Sequence, residues 1–197
     1  MNRPMYTATE SGNTPAPEKR NTIGIQKSEC AAFSGYRAYK FAKIFPDGTA
    51  EQHIKTMLRP VIAEEYRKGI RIFYTGMASG FDLWSADTVL ELRACGICPQ
   101  AQLITVEPYS GHGNSIRMPH ERKLYEKILH ESQINIILSD RYYDGCYLKR
   151  NDYMLENAGE VICYYDGQKG GTRYTINHAQ YKGLKVINIF APEIFAE

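Results

Sequence analysis

Residues 71–82 read Arg71-Ile72-Phe73-Tyr74-Thr75-Gly76-Met77-Ala78-Ser79-Gly80-Phe81-Asp82. The first five form a short run of β-branched and aromatic side chains, which predicts a strand over Arg71–Thr75. Glycines then break the run, and a helical pattern follows over Asp82–Arg93. A strand that turns through glycine directly into a helix is half of a βαβ unit.

The same order recurs on both sides. Upstream, Cys30–Ser34 reads as a strand ending at Gly35. Glu51–Lys68 carries Ile54, Leu58, Ile62 and Tyr66 at helical spacing, with Gly69 as the stop. Pro60 lies inside that stretch and is expected to kink it or to mark a second start. Downstream, strands are predicted at Leu103–Val106, Ile134–Leu138, Val161–Tyr165 and Lys185–Ile189, and helices at Pro119–Glu131, Tyr147–Asn157 and Thr172–Lys182. Strict alternation of strand and helix predicts an α/β fold: three layers, Rossmann-like and doubly wound, around a mainly parallel sheet. On such sheets ligands bind at the carboxyl ends of the strands near the switch in strand order, so the loops after each strand carry the function.

Composition bounds the rest. A length of 197 residues suits one domain with a sufficient core. Residues 1–27 are rich in Pro, Thr, Asn, Glu and Lys without periodicity and are expected to form a disordered or loosely ordered tail, leaving 28–197 as a single domain. A formal net charge of +2 excludes a polycation built to coat nucleic acid, though not a local basic patch. The apolar run Ile134–Leu138 is far short of the ~20 residues a membrane span needs. Five cysteines show no framework spacing. Cys30 and Cys163 sit in apolar runs and read as buried. Cys95 and Cys98 form a C-x-x-C at a helix exit before Pro99, without the second pair a zinc site wants, so neither metal nor redox chemistry is expected. With no signal-like segment at the start, a cytoplasmic protein is the expectation.

The loops supply the chemistry. Ser34-Gly35-Tyr36-Arg37 places a guanidinium fork beside the expected switch point, suited to phosphate or carboxylate. Gly76, Ser79 and Gly80 form a glycine-rich turn into a helix, where free amides and the helix dipole favour an anion. Asp82 is expected mainly as the N-cap of that helix. It is not a P-loop, since no Gly-Lys-Ser/Thr follows. Glu107 ends the third strand, where an acidic residue commonly accepts ribose hydroxyls. Arg150 and Asn151 lie early in the helix after the fourth strand. Gly170, Gly171, Thr172 and Thr175 make a second glycine-rich helix start, with hydroxyls able to cap or to bind phosphate. Fifteen tyrosines accompany a single tryptophan. Tyr36, Tyr109, Tyr142, Tyr143, Tyr147, Tyr165 and Tyr174 fall in or beside these loops and are expected to rim one cleft.

Taken together, Ser34-Gly-Tyr-Arg37, Thr75-Gly-Met-Ala-Ser-Gly-Phe-Asp82, Lys149-Arg-Asn-x-x-Met154 and Tyr165-Asp-Gly-x-x-Gly-Gly-Thr172 resemble the YpsA family of the SLOG superfamily, over about Cys30 to Phe190. The resemblance implies a Rossmann-like fold, a nucleotide or nucleotide-derived phosphorylated ligand, no required cofactor and a homodimer. Two relatives in that superfamily imply competing activities. The LOG phosphoribohydrolases carry P-G-G-x-G-T-x-x-E; here the segment reads Lys169-Gly-Gly-Thr-Arg-Tyr-Thr175, followed by Asn177 and His178. The proline and the glutamate are missing, so hydrolysis of a nucleoside monophosphate would need Glu107 or Asp82 as a substitute carboxylate. The DNA-processing protein DprA carries S-G-x-A-x-G-I-D, which Thr75–Asp82 approximates. Single-stranded DNA binding would need Arg37, Arg141, Lys149, Arg150, Lys169 and Arg173 to converge, and the net charge does not favour it. A non-catalytic scaffold is the remaining reading. The leading expectation puts a phosphate on the amides of Gly170, Gly171 and Thr172, with charge from Arg37 and Arg150 and a wall from the Gly76–Gly80 loop.

Overall fold

The computed structural model describes residues 26–190. The tail expected at 1–27 lies outside the described residues up to position 25; Lys27–Glu29 forms a short 3-10 turn leading into the first strand. Six strands form one sheet: β1 Cys30–Ser34, β2 Ile72–Thr75, β3 Gln102–Glu107, β4 Ile134–Ile137, β5 Glu160–Cys163 and β6 Lys185–Asn188. Their order is β4-β3-β2-β1-β5-β6, and every pair is parallel. The sheet is therefore wholly parallel. The order reverses between β1 and β5, where Ala32 pairs with Val161 and Ser34 with Cys163.

Among the described residues, six α-helices cover the sheet: α1 Ala38–Ile44, α2 Ala50–Arg67, α3 Phe81–Ala94, α4 Pro119–Glu131, α5 Cys146–Asn157 and α6 Gly171–Tyr181. Side chains alternate across each strand, so the two faces have separate cores. Ala31, Phe33, Phe73 and Leu103 face α1 to α4, where Phe41, Ile54, Leu58, Leu83 and Ile128 meet them. Ala32, Tyr74, Ile104 and Val161 face α5 and α6, meeting Met154, Leu155, Ile176 and Ala179. This is the three-layer arrangement the alternation predicts.

Strand and helix limits match the sequence reading within about two residues. Two features differ. Helix α1 is not anticipated by the sequence reading. Pro60 starts no second helix, because α2 runs through it from Ala50 to Arg67. Between sheet and neighbouring helices, α3 is buried on nearly every side from Phe81 to Leu92, with Asp87 tied to Lys55 and Lys127 at 2.5 and 2.7 Å. Cys95 lies at the α3 exit, and Cys30 and Cys163 are buried, as read. No helix among the described residues is long and apolar enough to cross a membrane.

Candidate functional site

At the carboxyl ends of β1 and β5, the reversal of strand order opens a cleft of about 230 Å³. Two loops and the helices around them build it. The β1–α1 loop contributes Gly35, Tyr36 and Arg37, and α1 adds Lys40. The β5–α6 loop contributes Lys169 and Gly170, and α6 begins with Gly171 and Thr172. Across the cleft, α5 supplies Tyr147, Arg150 and Asn151, and α3 supplies Asp82. Among the described residues, four cations (Arg37, Lys40, Arg150, Lys169) line it against the single carboxylate of Asp82. The α6 N-terminus opens into the same space with exposed Gly170 and Gly171. Unpaired amides, the helix dipole and surplus positive charge all favour an anion there.

The cationic side chains are held, not loose. Arg150 is 4% exposed. Its Nε donates to Asn151 Oδ1 at 2.7 Å, its Nη1 donates to the Gly76 carbonyl, and Nη1 lies 3.8 Å from Asp82 Oδ2. Gly76 has no side chain because Arg150 takes the space: a methyl group there would lie 2.2 Å from Nη1. Burial works against charge on both partners, raising the Asp82 pKa and lowering that of Arg150, while each opposes the shift of the other. Arg37 lies over the Tyr147 ring, 5.4 Å from its centre, and Lys40 over the Tyr36 ring at 4.0 Å. The Tyr36 hydroxyl donates to Asp166, which also accepts from the Gln168 amide at 3.0 Å, so the β5–α6 loop is fastened to β1.

The glycine-rich loop after β2 is a wall with a clasp. Gly80, φ +87°, is the N-cap of α3. Asp82 is thus not the cap; it sits one residue into the helix and accepts from the Ala78 amide at 3.3 Å, tightening the loop from within. Glu121 of α4 reaches across to accept from Ser79 Oγ at 2.7 Å and the Gly80 amide at 2.8 Å, and it is 1% exposed. Sequence reasoning missed Glu121, because nothing in its own helix marks it as the partner of Gly80, 41 positions earlier. It also missed Lys40, whose helix is only seven residues long; the spacing of Ala38, Phe41 and Ala42 was the available signal.

Of the expected site residues, Gly35, Arg37, Asp82, Arg150, Asn151, Gly170, Gly171 and Thr172 come together around the cleft. Gly76 and Gly80 support it from behind, and Ser79 faces a neighbouring hollow. The two threonine hydroxyls are already engaged: Thr172 donates to the Gly35 carbonyl at 3.1 Å and Thr175 to the Gly171 carbonyl at 3.0 Å. Thr175 also accepts from Asn151 at 2.8 Å, so Asn151 and Thr175 join α5 to α6. Thr172 follows Gly171 in the first turn and does not cap α6; Gly170 is the N-cap. Glu107 lies outside both the cleft and the hollow, buried under α4, where the Tyr125 hydroxyl donates to it. Burial raises its pKa. Of the cations weighed for DNA, Arg37, Arg150 and Lys169 converge; Arg141, Lys149 and Arg173 are not in the lining.

The tyrosines divide likewise. Tyr36, Tyr39 and Tyr147 line the cleft. Tyr109 and Tyr142 pack edge-on or tilted against Tyr147 instead of facing the cleft, each with its ring centre 6.2 Å from that of Tyr147 and 5.6 Å from the other. Tyr143, Tyr165 and Tyr174 lie elsewhere. His112 sits at the heart of this cluster, touching Tyr109, Tyr125 and Tyr147, and is fully buried. The Met77 backbone faces it, yet neither ring nitrogen closes a hydrogen bond of good geometry among the described residues. Burial, reinforced by Arg150 and Arg37, lowers its pKa from 6.5 to about 4. The unfolded chain therefore takes up a proton that the folded chain refuses, and stability falls as pH drops from 6.5 toward 4. His112→Phe keeps a ring in the cluster and should flatten that part of the pH–stability curve, by up to about 3 kcal/mol at the acid end, in chemical denaturation at stepped pH.

A parallel sheet with a basic cleft over its switch point defines a Rossmann-like α/β protein, and the cleft lies at the strand ends where such folds commonly carry ligands. The chain belongs to the YpsA family, described as the YspA SLOG family, whose model matches residues 31–189. A UPF0398 protein of Bacillus velezensis is 21% identical over 152 residues, covering 76% of this chain and 82% of its own length. A UPF0398 protein of Staphylococcus aureus strain JH9 is 25% identical over 138 residues, covering 69% and 72%. Among solved structures, the DNA-processing protein A of Helicobacter pylori, described for its single-stranded DNA binding mode, superposes with a TM-score of 0.54 at 19% identity, covering 82% of this chain and 65% of that one. That likeness is one of fold.

Proposed function

We propose that this protein binds a phosphorylated, nucleotide-derived small molecule in the switch-point cleft. Its phosphate rests on the amides at the start of α6, facing Arg37 and Arg150. The observation that carries this reading is the charge of the lining: four cations against one carboxylate around the α6 N-terminus. Arg150 is already withdrawn from water, where a charge attracts a dianion more strongly than it would in bulk solvent, and Arg37, Lys40 and Lys169 outweigh the repulsion from Asp82.

The same geometry supports binding over turnover. Glycosidic cleavage draws on carboxylates beside the scissile bond. Asp82 is occupied by the Ala78 amide and Arg150, and Glu107 lies under Tyr125.

Thermal-shift and calorimetric titration with nucleotides, ADP-ribose and cyclic nucleotides tests the reading. The expected result is a saturable stabilisation with at least one of them, lost in Arg37→Ala. Ligand binding that survives Arg37→Ala combined with Thr172→Ala would move the site elsewhere. Binding of single-stranded DNA instead, falling steeply with salt, would favour a nucleic-acid role.

A further inference from the structure

Beside the switch-point cleft lies a second, larger hollow of about 820 Å³, between α1, the α1–α2 loop, α3 and the start of α4. Arg37, Tyr39 and Tyr147 line both spaces, so the two lie side by side along one seam. Size separates their roles. Small-molecule sites commonly occupy about 300–1,000 Å³. The cleft, at about 230 Å³, is too small for a whole nucleotide, whereas the hollow is ample.

Charge separates them again. The cleft carries four cations against one carboxylate. In the hollow, Arg37 and Arg117 face Glu51 and Glu121, which balance. A charge-balanced wall of aromatic and apolar side chains suits an uncharged heterocycle better than a phosphate, which the surplus cations of the cleft attract. Trp84 lines this hollow with the edge of a ring that is otherwise packed in the core against Phe41, 4% exposed, and so gives the wall an aromatic surface. Glu51, on the same wall, offers a carboxyl oxygen to an exocyclic amine.

We infer that the hollow beside α1 holds the base-bearing end of the ligand, so that the ligand is a nucleoside diphosphate or longer nucleotide lying across the Arg37–Tyr147 seam. This rests on the phosphate reading of the cleft. Trp84 is the only tryptophan in the chain, so its fluorescence reports on the hollow alone.

The experiment titrates the full chain with ADP and with inorganic pyrophosphate, by calorimetry and by tryptophan emission. Both probes should bind, ADP at least tenfold more tightly, and only ADP should change the emission. Ala42 lies on the exposed side of α1 and lines the hollow, so Ala42→Phe fills the space without disturbing the core. It should weaken ADP at least tenfold and leave pyrophosphate unchanged. ADP binding that leaves the emission still and survives Ala42→Phe would overturn the inference while the phosphate site stands. Absence of binding by either probe would overturn both. A shift in assembly mass with Ala42→Phe, at unchanged ADP affinity, would assign the hollow to contact between copies of the chain and overturn the inference too.

Discussion

Gly80→Ala is expected to be the most damaging single substitution near the site. A methyl group on Gly80 would lie 2.4 Å from the Ala38 nitrogen, 2.7 Å from the Tyr36 carbonyl oxygen and 2.8 Å from the Arg37 carbonyl carbon. All three are backbone atoms and cannot swing aside. The residue also holds φ +87°, which L side chains rarely adopt. Strain at a left-handed position and overpacking each cost about 1–3 kcal/mol, giving about 4 kcal/mol together. For a chain of this size that corresponds to a melting temperature lower by roughly 8–16 °C. Gly96 separates the two causes: it holds φ +78° with nothing within 4 Å, so Gly96→Ala should cost only about 1–2 kcal/mol. Thermal or denaturant melts of both variants check the difference. Equal losses would show that conformation alone, and not the close approach of the two loops, sets the requirement.

Arg150→Ala should have an effect of similar size for a different reason. It removes the donors to Gly76 and Asn151 and leaves the Asp82 carboxylate buried without its countercharge. Breaking a buried pair on one side typically costs about 3–5 kcal/mol, mostly the penalty of the charge left behind. Two measurements identify that penalty. Asp82→Asn added to Arg150→Ala should recover part of the loss, as a coupling in a double-mutant cycle. Lowering the pH should recover part as well. The buried Asp82 has its pKa raised above the unfolded value, so the folded state takes up the proton first and gains stability as pH falls through that raised pKa. An Arg150→Ala variant whose deficit is the same at all pH values and in the double variant would place the cost in lost packing instead.

The fold was legible because a buried parallel sheet leaves a strong trace. Each strand is a compact apolar run, each is closed by a turn signal, and the helices between them repeat at helical spacing, as with Ile54, Leu58 and Ile62. The switch-point loops followed from that order. Helix α1 escaped notice because seven residues give barely two turns of pattern. Pro60 does not divide α2, because the contacts of Ile54, Leu58 and Ile62 with the core outlast one missing backbone donor. At the site, Gly35, Arg37 and the Gly170–Thr172 segment were readable because position after a strand predicts them. What the side chains bond to was not. The Thr172 and Thr175 hydroxyls turn to nearby carbonyls, Glu107 turns to Tyr125, and the Glu121 clasp joins segments distant in sequence. Such choices depend on which partner the finished packing brings within 3 Å, and no local pattern records that.

The strand order also governs when the site can come into being. β1 lies at the centre of the sheet, with β2 on one side and β5 on the other, so Ala31 pairs with both Phe73 and Glu160. A chain emerging from the ribosome can assemble β1, β2, β3 and their helices as soon as those are made, because each closes on its sequence neighbour. The other flank of β1 stays open until β5 has been synthesised, a long loop closure of the kind that slows folding. Until then Ala32 and Ser34 present a bare strand edge, and Arg37 has no α6 opposite it. A nascent chain is therefore most in need of shielding during this interval, and the cleft is completed only once β5 and α6 have been made.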